Sequence, residues 1–87
     1  MKLNPKFLTH ETRGEHYMIS TSETEFKGIV KNNETAAFIV ECLRSDTTES
    51  KIVDKIFTEY TGVDRSTVEH DVSALVSKLR SIGAIID

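Results

Sequence analysis

The chain has one cysteine, Cys42, so no intrachain disulfide can form and a cysteine-built zinc site is excluded. Its four glycines, at positions 14, 28, 62 and 83, are scattered, and none opens a helix in the pattern of a phosphate-binding loop. The longest apolar runs, such as Ala36 to Val40, extend over a few residues, whereas a bilayer span needs about 20. The start, Met1-Lys2-Leu3-Asn4-Pro5, has a charge but neither a following apolar stretch nor a small-residue cleavage site, and does not read as a secretory signal. A cytoplasmic location is expected. Positive charge is also short, with 11 Lys plus Arg against 14 Asp plus Glu and a net charge of -3. Nucleic-acid binders gain affinity by neutralising phosphates, and no basic face is concentrated enough here to do so.

What the chain does have is the composition of one small globular domain. Hydrophobic residues make up 38% of its 87 residues and charged residues 29%, which separates it from oil-poor disordered chains. A chain this short buries only roughly 60% of the surface it exposes when unfolded. That leaves little volume for a water-excluded catalytic cavity and favours function at a surface groove or interface.

Up to about Lys31 the apolar residues are spaced by two and broken by turn residues, which predicts strands. Phe7 to Thr12 and Glu15 to Ser20 flank Arg13-Gly14, where glycine supplies the positive φ of a tight hairpin turn. A third strand is expected over Phe26 to Lys31, and its lysines and internal glycine suit a sheet edge. From Asn32 the period becomes helical. The first helix is expected over about 34–44, capped by Asn32 or Asn33, with Ala36, Ile39, Val40 and Leu43 as its stripe. The second, about 48–61, has Asp46 and Glu49 in capping-box spacing and ends at Gly62. The third, about 66–82, starts at Asp64 or Ser66, repeats Val68, Val72, Leu75, Leu79 and Ile82, and ends at Gly83. Ala84-Ile85-Ile86 is too apolar for a free tail and should pack back on the domain.

Catalytic groups are sparse. His10, His16 and His70 have no metal-ligand spacing; the hairpin could set His10 against His16, and such a surface pair reads as solvated. Cys42 falls on an apolar helix without an adjacent base and reads as a buried structural thiol. No acid–base or nucleophile constellation points to an enzyme acting alone. No resident cofactor is implied. Three strands followed by three helices resemble a winged helix-turn-helix, an α+β arrangement, which makes a small DNA-binding transcription regulator the alternative function. The distinctive feature is the edge strand itself, whose unpaired N–H and C=O groups can accept a peptide as an added strand. The competing reading is that Lys27 and Lys31 only keep that edge from aggregating, and that Gly28 is an ordinary bulge.

The hairpin, the run Gly28-Ile29-Val30-Lys31-Asn32-Asn33-Glu34-Thr35-Ala36 into an apolar helix ending at Leu43, the capped second helix through Tyr60, and the helix from Val68 to Gly83 together resemble the PqqD-like family. The resemblance spans nearly the whole chain and rests on pattern and spacing. It implies a peptide-recognition domain of ribosomally made, post-translationally modified peptide pathways. Such a domain is a non-catalytic chaperone that binds the leader segment of a precursor peptide and presents it to a modifying enzyme. In the founding member that enzyme is a radical S-adenosylmethionine protein. By the same resemblance the leader adds beside the third strand, so that Phe26, Lys27, Gly28, Ile29, Val30 and Lys31 pair with it and the third helix forms the groove wall. On a helical projection Asp71, Leu75, Lys78 and Ile82 lie toward one flank of the stripe, and Val76 with Glu69 and Arg80 on the other. The leader-facing set is taken as Asp71, Val72, Leu75, Lys78 and Leu79, against the competing reading that Val72, Leu75 and Leu79 are simply core.

Overall fold

The computed structural model describes residues 1–21 and 28–87. Its elements run in the order β1 (Lys2–Leu3), β2 (Phe7–Thr12), β3 (Glu15–Ser20), β4 (Ile29–Asn32), α1 (Glu34–Cys42), α2 (Glu49–Glu59), α3 (Arg65–Ser81) and β5 (Ile85–Ile86). The three-stranded antiparallel sheet, in the order β2-β3-β4, followed by three helices, is the expected α+β architecture. Arg13 and Gly14 both have positive φ, 51° and 77°, the geometry of a primed two-residue hairpin turn. That turn fixes the register, with Thr12 opposite Glu15 and Phe7 opposite Ser20.

The third strand differs from expectation at both described limits. It occupies Ile29–Asn32, and Gly28 lies outside it with a φ of 148°, a backbone that L side chains rarely adopt. Phe26 and Lys27, expected within this strand, fall outside the described residues. Asn33, rather than Asn32, caps α1, its Oδ1 accepting the Ala36 N–H at 2.8 Å, which leaves Asn32 in the ladder. The helices are shorter at their C-terminal ends than expected: α1 stops at Cys42, α2 at Glu59 and α3 at Ser81. Thr48 caps α2 by accepting the Lys51 N–H, while Asp46, expected in a capping box, instead binds the Met1 ammonium at 2.8 Å. Of the two candidate caps for α3, Asp64 is the one used, its Oδ2 accepting the Thr67 N–H at 3.0 Å. Bonds from Ala84 N–H to Leu79 O and from Gly83 N–H to Arg80 O close the far end of α3.

Sequence periodicity did not disclose a second, two-stranded sheet, in which Lys2 pairs with Ile86 and Leu3 with Ile85. Leu3 N–H also donates to Leu43 O at 2.7 Å, so the N-terminal segment straps the end of α1 to the returning C-terminal segment. The tail thus packs back as anticipated, with Ala84 fully buried.

Alternation along the sheet separates two faces. Phe7 and Met18 point into the core with Val30 beside Met18, while Leu8, Ile19 and Ile29 stand abreast on the outer face. The core face meets Ile39 and Val40 of α1 with its C-cap Leu43, Ile52 and Ile56 of α2, and Val68, Val72, Val76 and Leu79 of α3. Burying each such side chain stabilises the fold by roughly 1.5–3 kcal/mol. Cys42 joins this core, and burial pushes its thiol pKa up, consistent with an unreactive structural residue. Among the described residues no helix is long and apolar enough to cross a membrane.

Candidate functional site

β4 and β2 are the two outer strands of the larger sheet. Their surroundings differ. Beside β2 lies the end of α1, where Arg44 Nη2 donates to Thr9 Oγ1 at 2.8 Å. β4 leads directly into the beginning of α1, and α1 packs on β3 and β4 while α3 packs on α2 and β5. The start of α1 thus follows β4 and, through Thr35 and Ile39, shares a cavity with the N-terminal half of α3.

The direction of each backbone group on β4 follows from its register. Ser20 N–H donates to Gly28 O at 3.4 Å, and antiparallel pairs alternate between hydrogen-bonded and non-bonded types. Two and four residues on, Met18–Val30 and His16–Asn32 are then the bonded pairs. Ile29 and Lys31 consequently turn their N–H and C=O groups outward, to the open edge. Their side chains project from the outer sheet face, where Ile29 is 65% exposed, while Val30 packs half-buried against the core.

Lys31 does not hang free over the edge as a simple aggregation guard. Its Nζ lies 2.8 Å from Glu15 Oε2, which also accepts the Tyr17 hydroxyl at 2.8 Å. The hydrogen bond from Lys31, then that from Tyr17, lowers the Glu15 pKa. The same bonds to Glu15 raise the pKa values of Lys31 and Tyr17. This cluster fixes Lys31 on the outer face and leaves the backbone edge uncovered by its side chain.

On α3 the structure distinguishes the flanks. Arg65 binds Asp54 of α2 and Glu69, at 3.3 Å and 2.9 Å, and Val76, assigned to that same flank by projection, is buried. Asp71 lies on the other flank and lines a cavity of about 320 Å³ with Thr35, Ile39, Ile56, Val63 and Val68. Leu75, one turn along, is half-buried against the core, and Lys78 is exposed. Val72 and Leu79 are 0% and 1% exposed, so they support this wall from within and offer no surface to a ligand. The projection could not separate them from Leu75 because a stripe wide enough to pack on two neighbours gives its central and marginal positions the same apolar character. The cavity at the start of α3 was missed. Its only advance signal was the turn residues Thr61-Gly62-Val63-Asp64 between two helices.

His10 and His16 do not face each other. His10 is opposite Tyr17 and His16 opposite Glu11, which places the two imidazoles on opposite faces of the hairpin. Among the described residues no group of three or more His, Cys, Asp or Glu could hold a metal ion. Both arginines of α3 are paired with acids, Arg65 as above and Arg80 with Asp87 at 2.6 Å, and Lys78 alone does not make the concentrated basic face that phosphate contacts need.

A winged-helix-like α+β domain, with β4 as an outer strand of its sheet and a cavity where α1, α2 and the start of α3 meet, is thereby defined. The chain belongs to the PqqD family: the model for coenzyme PQQ synthesis protein D matches residues 13–85. Two solved structures share the fold. One, described as lasso peptide synthetase B1 complexed with the leader peptide, is 24% identical with a TM-score of 0.79, over 99% of this chain and 96% of that one. The other, TbiB1 in complex with the TbiA(beta) leader peptide, is 22% identical with a TM-score of 0.80, over 100% of both chains. No curated protein matches the chain at a significant level.

Proposed function

We propose that this protein is a leader-peptide-binding domain that captures a ribosomal precursor peptide by strand addition at β4 and presents it to a modifying enzyme. The observation that carries this reading is the outward backbone of Ile29 and Lys31, on a strand with no further strand paired to it among the described residues. Membership in the PqqD family and the leader complexes formed by two proteins of the same fold support it. The outward N–H and C=O groups of Ile29 and Lys31 would hold any extended peptide; side-chain pockets must supply the selectivity. The cavity beside Asp71 has apolar walls from Ile39, Ile56, Val63 and Val68 and polar groups at its rim, which suits one apolar or aromatic leader side chain.

The protein itself supplies no bond-making chemistry on this account. It orients the leader and leaves the segment to be modified free for the enzyme, for which a radical S-adenosylmethionine protein is one candidate. Titration of the isotope-labelled protein with the leader of a precursor peptide encoded beside it tests the reading. Saturable shifts along Gly28 to Lys31 and at Asp71 and Leu75, absent with a scrambled peptide, are expected. Binding that shifts only residues of β2 or α2 would refute the site.

A further inference from the structure

A second concave site lies on the opposite side of β4 from its open edge. A cleft of about 580 Å³ opens between the β2–β3 hairpin and α1, with Glu11, His16, Asn32, Glu34, Phe38 and Glu41 among its lining residues. Glu34, Phe38 and Glu41 share one face of α1 because their spacings are four and three residues. Phe38 also meets Tyr60 edge to face, with ring centroids 5.5 Å apart, so one end of the lining is aromatic.

The charges in this cleft do not cancel. Arg44 is its one Lys or Arg lining residue, and its Nε is 3.0 Å from Glu41. Glu11 meets only the His16 ring, at 4.0 Å, and Glu34 has no side-chain partner among the described residues. Asn32 adds an independent observation. It is 7% exposed, and its carboxamide has no hydrogen-bond partner among the described residues although it lines the cleft. Its amide atoms reach solvent at the cleft surface and are free to take a ligand group in place of water.

We propose that this cleft is a binding site for an arginine side chain supplied by a second protein. Two available carboxylates and a carboxamide oxygen match the planar, five-donor guanidinium, and the aromatic end offers it a π surface. A metal ion does not fit, since among the described residues no suitable ligand cluster exists. Anions are repelled by the carboxylates. The arginine comes from a chain other than the leader because the lining comes from β2, β3, α1, Tyr60 and, of β4, Asn32 on the core face of the sheet, and a strand added outside β4 leaves the cleft uncovered. That last step, though not the chemistry of the cleft, rests on the function proposed above; the enzyme receiving the leader is then the natural donor of the arginine.

The test is an amide and side-chain NMR titration with N-acetyl-arginine-N-methylamide, and in parallel with its neutral isostere N-acetyl-citrulline-N-methylamide. The arginine probe is expected to shift His16, Glu34 and the Asn32 carboxamide saturably, with the citrulline probe weaker by about tenfold or more. Glu11→Gln with Glu34→Gln should abolish that preference while leaving the spectrum of α2 and α3 unchanged. Equal affinity for the two probes, or no saturable shift in the cleft, would overturn the site. Probe affinity unaltered by saturating leader peptide supports a second chain as donor, whereas displacement of the probe by the leader would overturn that assignment. Because the probe titration needs no leader, failure of leader binding and failure of the cleft are read separately.

Discussion

Arg65 lies 3.3 Å from Asp54 on α2 and 2.9 Å from Glu69 on its own helix, with its guanidinium 5.4 Å from the centre of the Phe57 ring. Both acids raise its pKa, Asp54 the more strongly, and the ion pairs mark the flank of α3 committed to α2. On the other flank Asp71 lines the cavity shared with Thr35 and Ile39 of α1, and Leu75 lies half-buried; this is the flank proposed to meet the leader. Substitutions on the two flanks should therefore separate. Leu75→Glu is expected to weaken leader binding by about tenfold or more, and Glu69→Gln to leave it within about twofold. Isothermal titration of both variants, with folding checked by circular dichroism, measures the contrast.

The alternation along β4 makes a sharper prediction about backbone. Ile29→Pro removes an N–H that points to the open edge, so the sheet should lose little stability while leader affinity falls by about tenfold, the value of one hydrogen bond of roughly 1–1.5 kcal/mol. Val30→Pro removes a donor that the ladder to β3 uses, and stability itself should fall. Urea unfolding alongside leader titration distinguishes the two.

Gly28 enters β4 with a φ of 148°, where a Cβ is strained whatever space surrounds it. Gly28→Ala should destabilise the domain by about 1–3 kcal/mol, read from denaturant midpoints at constant m-value. Gly28→Asn should recover little, since this region lies beyond the left-handed helical well that asparagine tolerates.

The Glu15 cluster predicts a pH dependence. The Glu15 pKa is lowered in the folded state, so its contribution to stability is present above the ordinary glutamate value and is lost as the pH falls through the lower, folded value. The Lys31 pKa is raised, so its contribution is present below the ordinary lysine value and is lost as the pH rises through the higher, folded value. The stability difference between the parent and Glu15→Gln should therefore be fully developed near neutral pH and close toward the acid limb. Urea unfolding at a series of pH values measures it. An unchanged difference in acid would show that Glu15 acts by packing and not by charge.

Much of this arrangement was legible because local chemistry and tertiary structure agree. Arg13-Gly14 marked the hairpin, Asp64 was a candidate cap for α3, and Val68, Val72 and Leu79 followed the helical period into the core. The pairing of Lys2 and Leu3 with Ile86 and Ile85 was not legible, because a two-residue ribbon has no period to detect and its partners lie at opposite ends of the chain. The parity of His10 and His16 required the hairpin register, since one position decides which face a side chain takes. Neither the Asp71 cavity nor the cleft at Asn32 could be read in advance. Each is assembled from residues on several elements, and each lining residue has an ordinary local role in the sequence.

The most direct measurement is amide hydrogen exchange at Ile29 and Lys31, in the free protein and with the leader bound. Strand addition predicts that both amides are fast-exchanging when free and become protected by at least about tenfold on leader binding, with a smaller change at Val30, whose N–H already faces β3. A leader that binds tightly while Ile29 and Lys31 stay unprotected would contradict strand addition at β4.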